Sequence, residues 1–360
     1  MGDGRITALD VLRGIAILGT FGTNVWIFTT RAALGAGDPV ETGLRTLSNG
    51  KFLALLSILF GVGLALQEAS ARRRGARWPG RYPLRAALLF VEGALHYVLV
   101  FEFDVLMYYA VVAVPVAFLV GRVSARWWMI GAGALHVVFV GLVTAALANG
   151  DASVTLPADT SSWLGQVQTR LEHAAAFRAE AIFVLPLSTA LFLAGAALLR
   201  AGAFERSARG AIVRRRLITW GLGVGIPINA LTAYAGPQWA LVDRYLAAPV
   251  VAFGLLGAVT ALVHRMGAPG LLRRAVTAVG RCALSCYVAQ NLLAAFLCYD
   301  WGLGLTGRLG HLGLLWTVGC HLVVSATVLV AATWWLRRHT RGPVELVWDL
   351  AYRRDRVPTR

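Results

Sequence analysis

Ten stretches of about twenty mostly apolar residues, separated by polar or arginine-rich connectors, run almost end to end through the chain, and this pattern constrains the fold more than any other feature. A helix crossing a bilayer satisfies its backbone hydrogen bonds internally, so the repetition predicts an all-α, polytopic integral membrane helical bundle. The spans fall near 12–30, 51–67, 84–101, 104–120, 127–148, 181–199, 217–235, 245–264, 280–299 and 313–336. Only 14% of the 360 residues are charged and 58% are hydrophobic, whereas a soluble domain is about a quarter charged. A cytosolic enzyme, a disordered tail and a disulfide-stapled secreted domain are thereby excluded.

The net charge of +16 would suggest nucleic acid in a soluble protein. Here the positions of the charges matter more than their sum. With the N-terminus in the cytoplasm, the inner connectors carry Arg72, Arg73, Arg74, Arg77 and Arg81, then Arg122 and Arg126, then Arg200, Arg206, Arg209, Arg214, Arg215 and Arg216. Arg265, Arg273 and Arg274 follow, and the tail adds Arg337, Arg338, Arg341, Arg353 and Arg354. The outer connectors hold Arg31, Arg45, Lys51, Arg170, Arg178, Arg244 and Arg308. This alternation obeys the positive-inside rule at every connector and predicts both termini in the cytoplasm and a multi-pass protein of the cell membrane. The basic excess then serves topology and contact with anionic lipid or cofactor phosphates, with no nucleic-acid partner.

The chain reads as one transmembrane domain over 1–360, with an outer loop at 149–180 and a basic cytoplasmic tail at 337–360. Within the loop, Trp163 and the run from Gln166 to Arg178 predict a short helix on the outer face. The first stretch carries Asp10, Arg13 and Asn24, which a cleaved signal would lack. Cys282, Cys286, Cys298 and Cys320 sit inside apolar stretches and read as small buried residues, not as a metal or disulfide framework. Lys51 is the sole lysine, and the chain has no HExxH, GxSxG, CxxC or P-loop pattern, so no metal is expected.

Ionisable groups at membrane depth are expensive and mark candidate sites. The third and fourth spans form a tight hairpin, because only about 101–103 separates them. Glu92 and His96 share one helical face, roughly 12 and 18 Å from the inner surface at 1.5 Å per residue, and Asp104 lies at the outer turn. A carboxylate beside an imidazole fixes its tautomer and raises its basicity, as a general base or nucleophilic histidine requires. Glu92 and His96 would also serve simply to satisfy each other between helices. Asn24, Gln290 and Asn291 fall at similar depth and are expected to line the same pocket, while His136, Asn229 and His321 are expected to hydrogen-bond between helices. Arg13, one turn from Asp10, either pairs with it or grips a phosphate arriving from the cytosol.

Four segments resemble the YeiB family of membrane proteins, the domain of unknown function 418. They are Arg5 with Leu9-Asp10-Val11-Leu12-Arg13-Gly14 and Asn24; Lys51-Phe52 with Leu55 to Gly63; Gly93-Ala94-Leu95-His96 with Asp104-Val105-Leu106 and Tyr109; and Gly280-Arg281 to Tyr287 with Gln290, followed by Arg341-Gly342-Pro343-Val344-Glu345 and Trp348. Phe101-Glu102-Phe103 stands where the family has Trp-x-Gly, and Leu346 where it has an aromatic residue. The family is similar in turn to the heparan-α-glucosaminide N-acetyltransferase group, whose first span also opens on Leu/Val-Asp-x-x-Arg-Gly. That group is thought to use a histidine after its first span, and 31–50 has none here, so His96 would take the role.

What the resemblance implies is transfer of an acyl group from cytosolic acetyl-CoA or another acyl-CoA to a small-molecule or glycan acceptor in a membrane-embedded pocket. Arg13, Arg281 and Arg85 would hold the cofactor phosphates, and His96, oriented by Glu92 or Asp104, would act as base or acyl carrier. Tyr109, Tyr287, Asn24, Gln290 and Asn291 would line the pocket. A second copy of the chain is an admissible partner. The rival reading is a transporter or exporter of a small or lipid-linked molecule, supported by the polar midplane and by Pro115, Pro186, Pro227 and Pro249.

Overall fold

The computed structural model describes residues 6–30, 38–149, 159 and 161–353. Arg5, Arg31, Arg354, residues 150–158 and 160 of the outer loop, and 354–360 of the tail lie outside the described residues. Among the described residues every regular element is helical. The helices are α1 (Thr7–Thr29), α2 (Pro39–Ser48), α3 (Lys51–Arg73), α4 (Tyr82–Leu99), α5 (Leu106–Leu119), α6 (Ala125–Ala148), α7 (Trp163–Glu172), α8 (Ala174–Arg178) and α9 (Ala181–Arg200). They continue as α10 (Ala208–Gly223), α11 (Gly225–Tyr234), α12 (Ala240–Val242), α13 (Ala248–Arg265), α14 (Leu271–Arg281), α15 (Ala283–Cys298), α16 (Leu305–Leu309), α17 (Leu314–Trp335) and α18 (Pro343–Arg353). A π-helical segment, Asp243–Ala247, leads into α13.

Among the described residues seven helices or joined helices are long and apolar enough to cross a membrane: Thr7–Thr29, Pro39–Arg73, Ala125–Ala148, Ala174–Arg200, Ala208–Tyr234, Pro237–Arg265 and Leu314–Trp335. The α14–α15 pair makes an eighth if it counts as one broken span. Of the ten expected stretches, the third and fourth correspond to α4, which carries Arg85, Glu92 and His96, and to the shorter α5. The ninth is not straight. α14 and α15 meet at 94°, with Cys282 in a non-helical conformation at the break. No proline causes this bend. Gly280 packs so closely on α1 that a Cβ there would lie 1.7 Å from the Asp10 carbonyl oxygen, holding α14 against α1 while α15 turns into the bundle.

Small residues set the other close crossings, as expected where lipid supplies no hydrophobic drive between helices. A Cβ on Gly61 of α3 would meet the Phe192 carbonyl oxygen of α9 at 1.9 Å, and one on Gly195 would meet the Ile58 carbonyl oxygen at 2.0 Å. Around this crossing Leu12, Leu55, Ile58, Val116, Phe192 and Leu256 form the main apolar core. A second cluster joins Phe21, Phe28, Phe101, Ala294, Cys298 and Val324. The opposite signature marks α6, where Trp127, Trp128, Ile130, Val138 and Leu142 are exposed, as a lipid-facing surface requires. An apolar groove of about 690 Å³ between α6 and α9 is lined by Trp127, Leu135, Phe139, Ile182 and Pro186, none of them a predicted site residue.

A candidate active site at the α4–α5 hairpin

The site begins where α4 must end. The amides of Val100 and Phe101 both donate to the His96 carbonyl at 2.9 Å, which closes the helix one turn after His96. The chain then reverses and α5 begins, with the Asp104 carboxylate accepting from the amides of Leu106 (2.8 Å) and Met107 (3.3 Å), so Oδ1 caps the new helix. Gly93 lets the two helices touch. A Cβ there would lie 2.7 Å from the Met107 nitrogen and 2.9 Å from Asp104 Oδ1.

This geometry aims the second carboxylate oxygen, Oδ2, at His96 Nδ1, 2.8 Å away. Asp104 is fully buried and His96 is 3% exposed. Because the carboxylate accepts from Nδ1–H, the imidazole lone pair sits on Nε2. The Tyr287 hydroxyl also donates to Oδ2, at 3.4 Å, and its ring centroid lies 5.0 Å from that of His96. Facing Nε2 is the Asn291 amide, Nδ2, at 3.4 Å. Asn24 Nδ2 in turn donates to Asn291 Oδ1 at 3.1 Å. A chain of polar side chains therefore links α1, α15, α4 and the start of α5.

Two arginines from α7 and α8 hold the hairpin turn. Arg170 of α7 donates to the carbonyls of Val98 (3.2 Å) and Val100 (3.1 Å), the unsatisfied acceptors at the end of α4, and pairs with Glu102 at 3.1 Å. Arg178 of α8 donates to the carbonyls of Asp104 (2.9 Å) and Glu102, and lies 4.1 Å over the Tyr97 ring. The segment Phe101-Glu102-Phe103 thus has a physical account: Glu102 is the partner of Arg170.

Of the predicted residues, His96, Asp104, Asn24, Tyr287 and Asn291 come together. Glu92 does not join them. Its carboxylate makes no bond to His96 and has Trp348 and Glu345 of α18 as neighbours. Its i, i+4 relation to His96 is one of sequence spacing, and the imidazole turns instead toward the hairpin. Tyr109 bonds Ser57 (2.8 Å) and the Leu53 carbonyl (2.9 Å) on α3, away from the imidazole. Gln290 is 1% exposed, and neither end of its amide has a hydrogen-bond partner.

The three predicted phosphate-binding arginines lie at the other end of the bundle. Arg13 pairs with Asp10 at 3.3 Å. Arg281 donates to the Thr340 carbonyl at 3.1 Å. Arg85 reaches Gln67 at 3.3 Å, with its guanidinium 6.0 Å from the Trp348 ring. Eleven residues of helix separate Arg85 from His96, roughly 16 Å of rise.

A second buried network gathers Asn229 and His136 with residues that the sequence reading did not single out. Asp243 Oδ1 accepts from Asn229 (2.6 Å) and Thr232 (3.2 Å), and Oδ2 from Asn49 (3.0 Å). Arg244 donates to Asn49 (2.9 Å) and to Glu180 (2.9 Å), which also accepts from Tyr245. His136 Nε2 donates to the Tyr245 carbonyl at 2.9 Å. Asn229 and His136 thereby make the interhelical hydrogen bonds expected of them, while Asn49, Glu180 and Asp243 stand at span ends, where a solvated side chain is the ordinary expectation.

The family model described as "Protein of unknown function (DUF418)" matches residues 198–354. The chain is 26% identical to the uncharacterized protein YxaH of Bacillus subtilis (strain 168), with 96% of this chain and 94% of that protein covered. It is 27% identical to the uncharacterized protein YeiB of Escherichia coli (strain K12), with 96% and 95% covered. The hairpin precedes the matched family segment, but both alignments run nearly the full length of either partner. With its C-terminal segment matched by the family model and two relatives aligned along almost their whole lengths, the chain is similar to the DUF418 proteins.

Proposed function

We propose that the protein is an acyl-CoA-dependent acyltransferase of the plasma membrane, with ten crossings and both termini in the cytoplasm. The ten count α4, α5 and the broken α14–α15 pair as crossings beside the seven long helices. The observation that carries the reading is the buried His96–Asp104 pair, whose geometry leaves Nε2 as the basic atom. In this reaction Nε2 takes the proton of an acceptor hydroxyl or amine as that atom attacks the thioester carbonyl. The tetrahedral intermediate collapses, the carbon–sulfur bond breaks, and the proton passes from Nε2 to the departing CoA thiolate. Asp104 holds the tautomer and stabilises the imidazolium, and the unpartnered Gln290 amide is a donor free to meet the oxyanion.

The acyl donor enters from the arginine-rich end. Arg13, Arg281 and Arg85 supply charge-assisted donors for its phosphates, and the acceptor is a sugar, glycolipid or secondary metabolite met near His96. The test is thermal unfolding of the detergent-purified protein with acetyl-CoA and longer acyl-CoAs. Binding to the folded state raises Tm saturably, and the shift weakens in Arg13→Ala. No shift with any acyl-CoA overturns the reading.

One observation favours a second reading, that of a transporter. The helix broken at Cys282 is the kind of discontinuity on which transport sites are built. In that case the His96–Asp104 pair couples a proton to substrate movement, and flux follows a pH gradient with no response to CoA.

A further inference from the structure

Cys298 is the last residue of α15 and Cys320 lies in the second turn of α17. Their Sγ atoms are 3.8 Å apart. Both are buried, at 0% and 2% exposed, in the apolar cluster that also holds Phe101. The Phe101 amide closes α4 on the His96 carbonyl, and its ring centroid lies 6.3 Å from the imidazole. The other two cysteines are far along α15. Cys282 occupies the break and Cys286 follows one turn later. The connector between α15 and α17 carries one arginine, Arg308, while the arginine-rich connectors lie at the opposite end of these helices.

We propose that Cys298 and Cys320 form a disulfide that pins α15 to α17 beside the His96 site. The proposal uses the orientation given above, which turns this end of the bundle toward the compartment where disulfides form and persist, and it is independent of what the site catalyses. The oxidant is a disulfide-bearing thiol oxidant, RS–SR, acting while the helices assemble and before the cluster closes. One cysteine thiolate attacks RS–SR and expels RS⁻, giving a mixed disulfide. The second cysteine attacks the protein sulfur of that bond and expels the other RS⁻. Two cysteine thiols are oxidised, one RS–SR is reduced to two RSH, and the two thiol protons leave with them. The bond closes a loop over a sequence separation of 22 residues and fixes the helix that presents Tyr287, Gln290 and Asn291.

The experiment is thiol blocking of protein denatured straight from native membranes, with and without prior reduction, followed by peptide mapping. Without reductant we expect two alkylated cysteines, Cys282 and Cys286, and one cross-linked peptide containing Cys298 and Cys320, about 2 Da lighter than its reduced form. In Cys298→Ser three cysteines are alkylated. In the double variant Cys282→Ser/Cys286→Ser none is. Four alkylated cysteines in the unreduced wild type overturn the proposal, as does a cross-link that maps to Cys282 and Cys286. Reduction of the folded protein in detergent lowers Tm by on the order of 5 °C if the bond pins the helices; an unchanged Tm overturns that role.

Discussion

The side chains around Asp243 and those around His96 are both buried polar groups in an apolar bundle, yet they end differently. Around Asp243 both carboxylates are fully partnered: that of Asp243 takes three donors, Arg244 bridges Asn49 and Glu180, and Tyr245 completes Glu180. The acids Asp243 and Glu180 face the bases Arg244 and Lys51, so charge also balances. Around His96 the bonds lengthen toward the reactive atom, from 2.8 Å at Asp104 to 3.4 Å at Asn291. A contact of 3.4 Å is at the weak end of hydrogen bonding and yields readily to a better donor. A closed network rigidifies a fold, whereas one whose last contact is weak has an atom to offer.

The largest effect is expected from opening the closed network. Asp243→Ala strands Asn49, Asn229 and Thr232 and removes the countercharge of Lys51. Removing one partner of a buried charge network costs about 3–5 kcal/mol, so the variant should yield little monodisperse protein on size-exclusion chromatography in detergent. A well-behaved Asp243→Ala protein with wild-type Tm would show that the network is not the scaffold described.

Next come His96 and Asp104. His96→Ala and Asp104→Asn should each lower acyl transfer about a hundredfold or more, with insertion and elution profile retained. Asparagine at 104 still accepts from the Leu106 amide, so the cap survives while the tautomer control is lost. Glu92→Gln separates the two carboxylates and should leave transfer close to wild type, because Glu92 does not bond to the imidazole. A Glu92→Gln protein as inactive as Asp104→Asn would place Glu92 in the mechanism after all.

Arg170→Met is expected to rank third. It leaves Glu102 and the carbonyls of Val98 and Val100 without their donor, at a cost of about 1–3 kcal/mol. The effect should be local: faster hydrogen exchange at the Val100 and Phe101 amides, with exchange around Asp243 unchanged. Equal acceleration in both regions would mean that α7 and α8 support the whole bundle and not the hairpin alone.

The hairpin was legible in the sequence because its signals are short-range. Gly93, His96 and Asp104 lie within twelve positions on an apolar background, and Asn24, Gln290 and Asn291 stand out as polar groups at matching depth, while Tyr287 was indicated by the family resemblance alone. The Asp243 network was legible only in part: Asn229 and His136 read as interhelical hydrogen-bonding groups and are so, whereas Asn49, Glu180 and Asp243 stand at the ends of three segments and read as solvated until the helices are packed. The bend at Cys282 was hidden. Hydropathy sees a continuous apolar run there, while the cause is steric, the contact of Gly280 with the Asp10 carbonyl, and the stabiliser is distant, Glu345 of α18 accepting from the Leu284 amide at 2.9 Å. The sequence spacing of Glu92 and His96 suggested a partnership that the turn at Val100 redirects to Asp104.

The smallest effect, and the sharpest test of the open end, comes from Asn291→Ala. Asn291 contributes one long contact to Nε2 and accepts from Asn24, so its loss should cost on the order of 1 kcal/mol in stability. What changes more is access to the imidazole lone pair. Carbethoxylation of His96 by diethyl pyrocarbonate, followed by peptide mass analysis, should run a few-fold faster in Asn291→Ala than in wild type, while His136 in the Tyr245 cluster keeps its rate. That contrast follows from the two geometries alone and holds whether the site transfers an acyl group or moves a proton. If His96 reacts no faster once Asn291 is cut back, then Nε2 is shielded by packing, and the two networks differ less than their bond lengths imply.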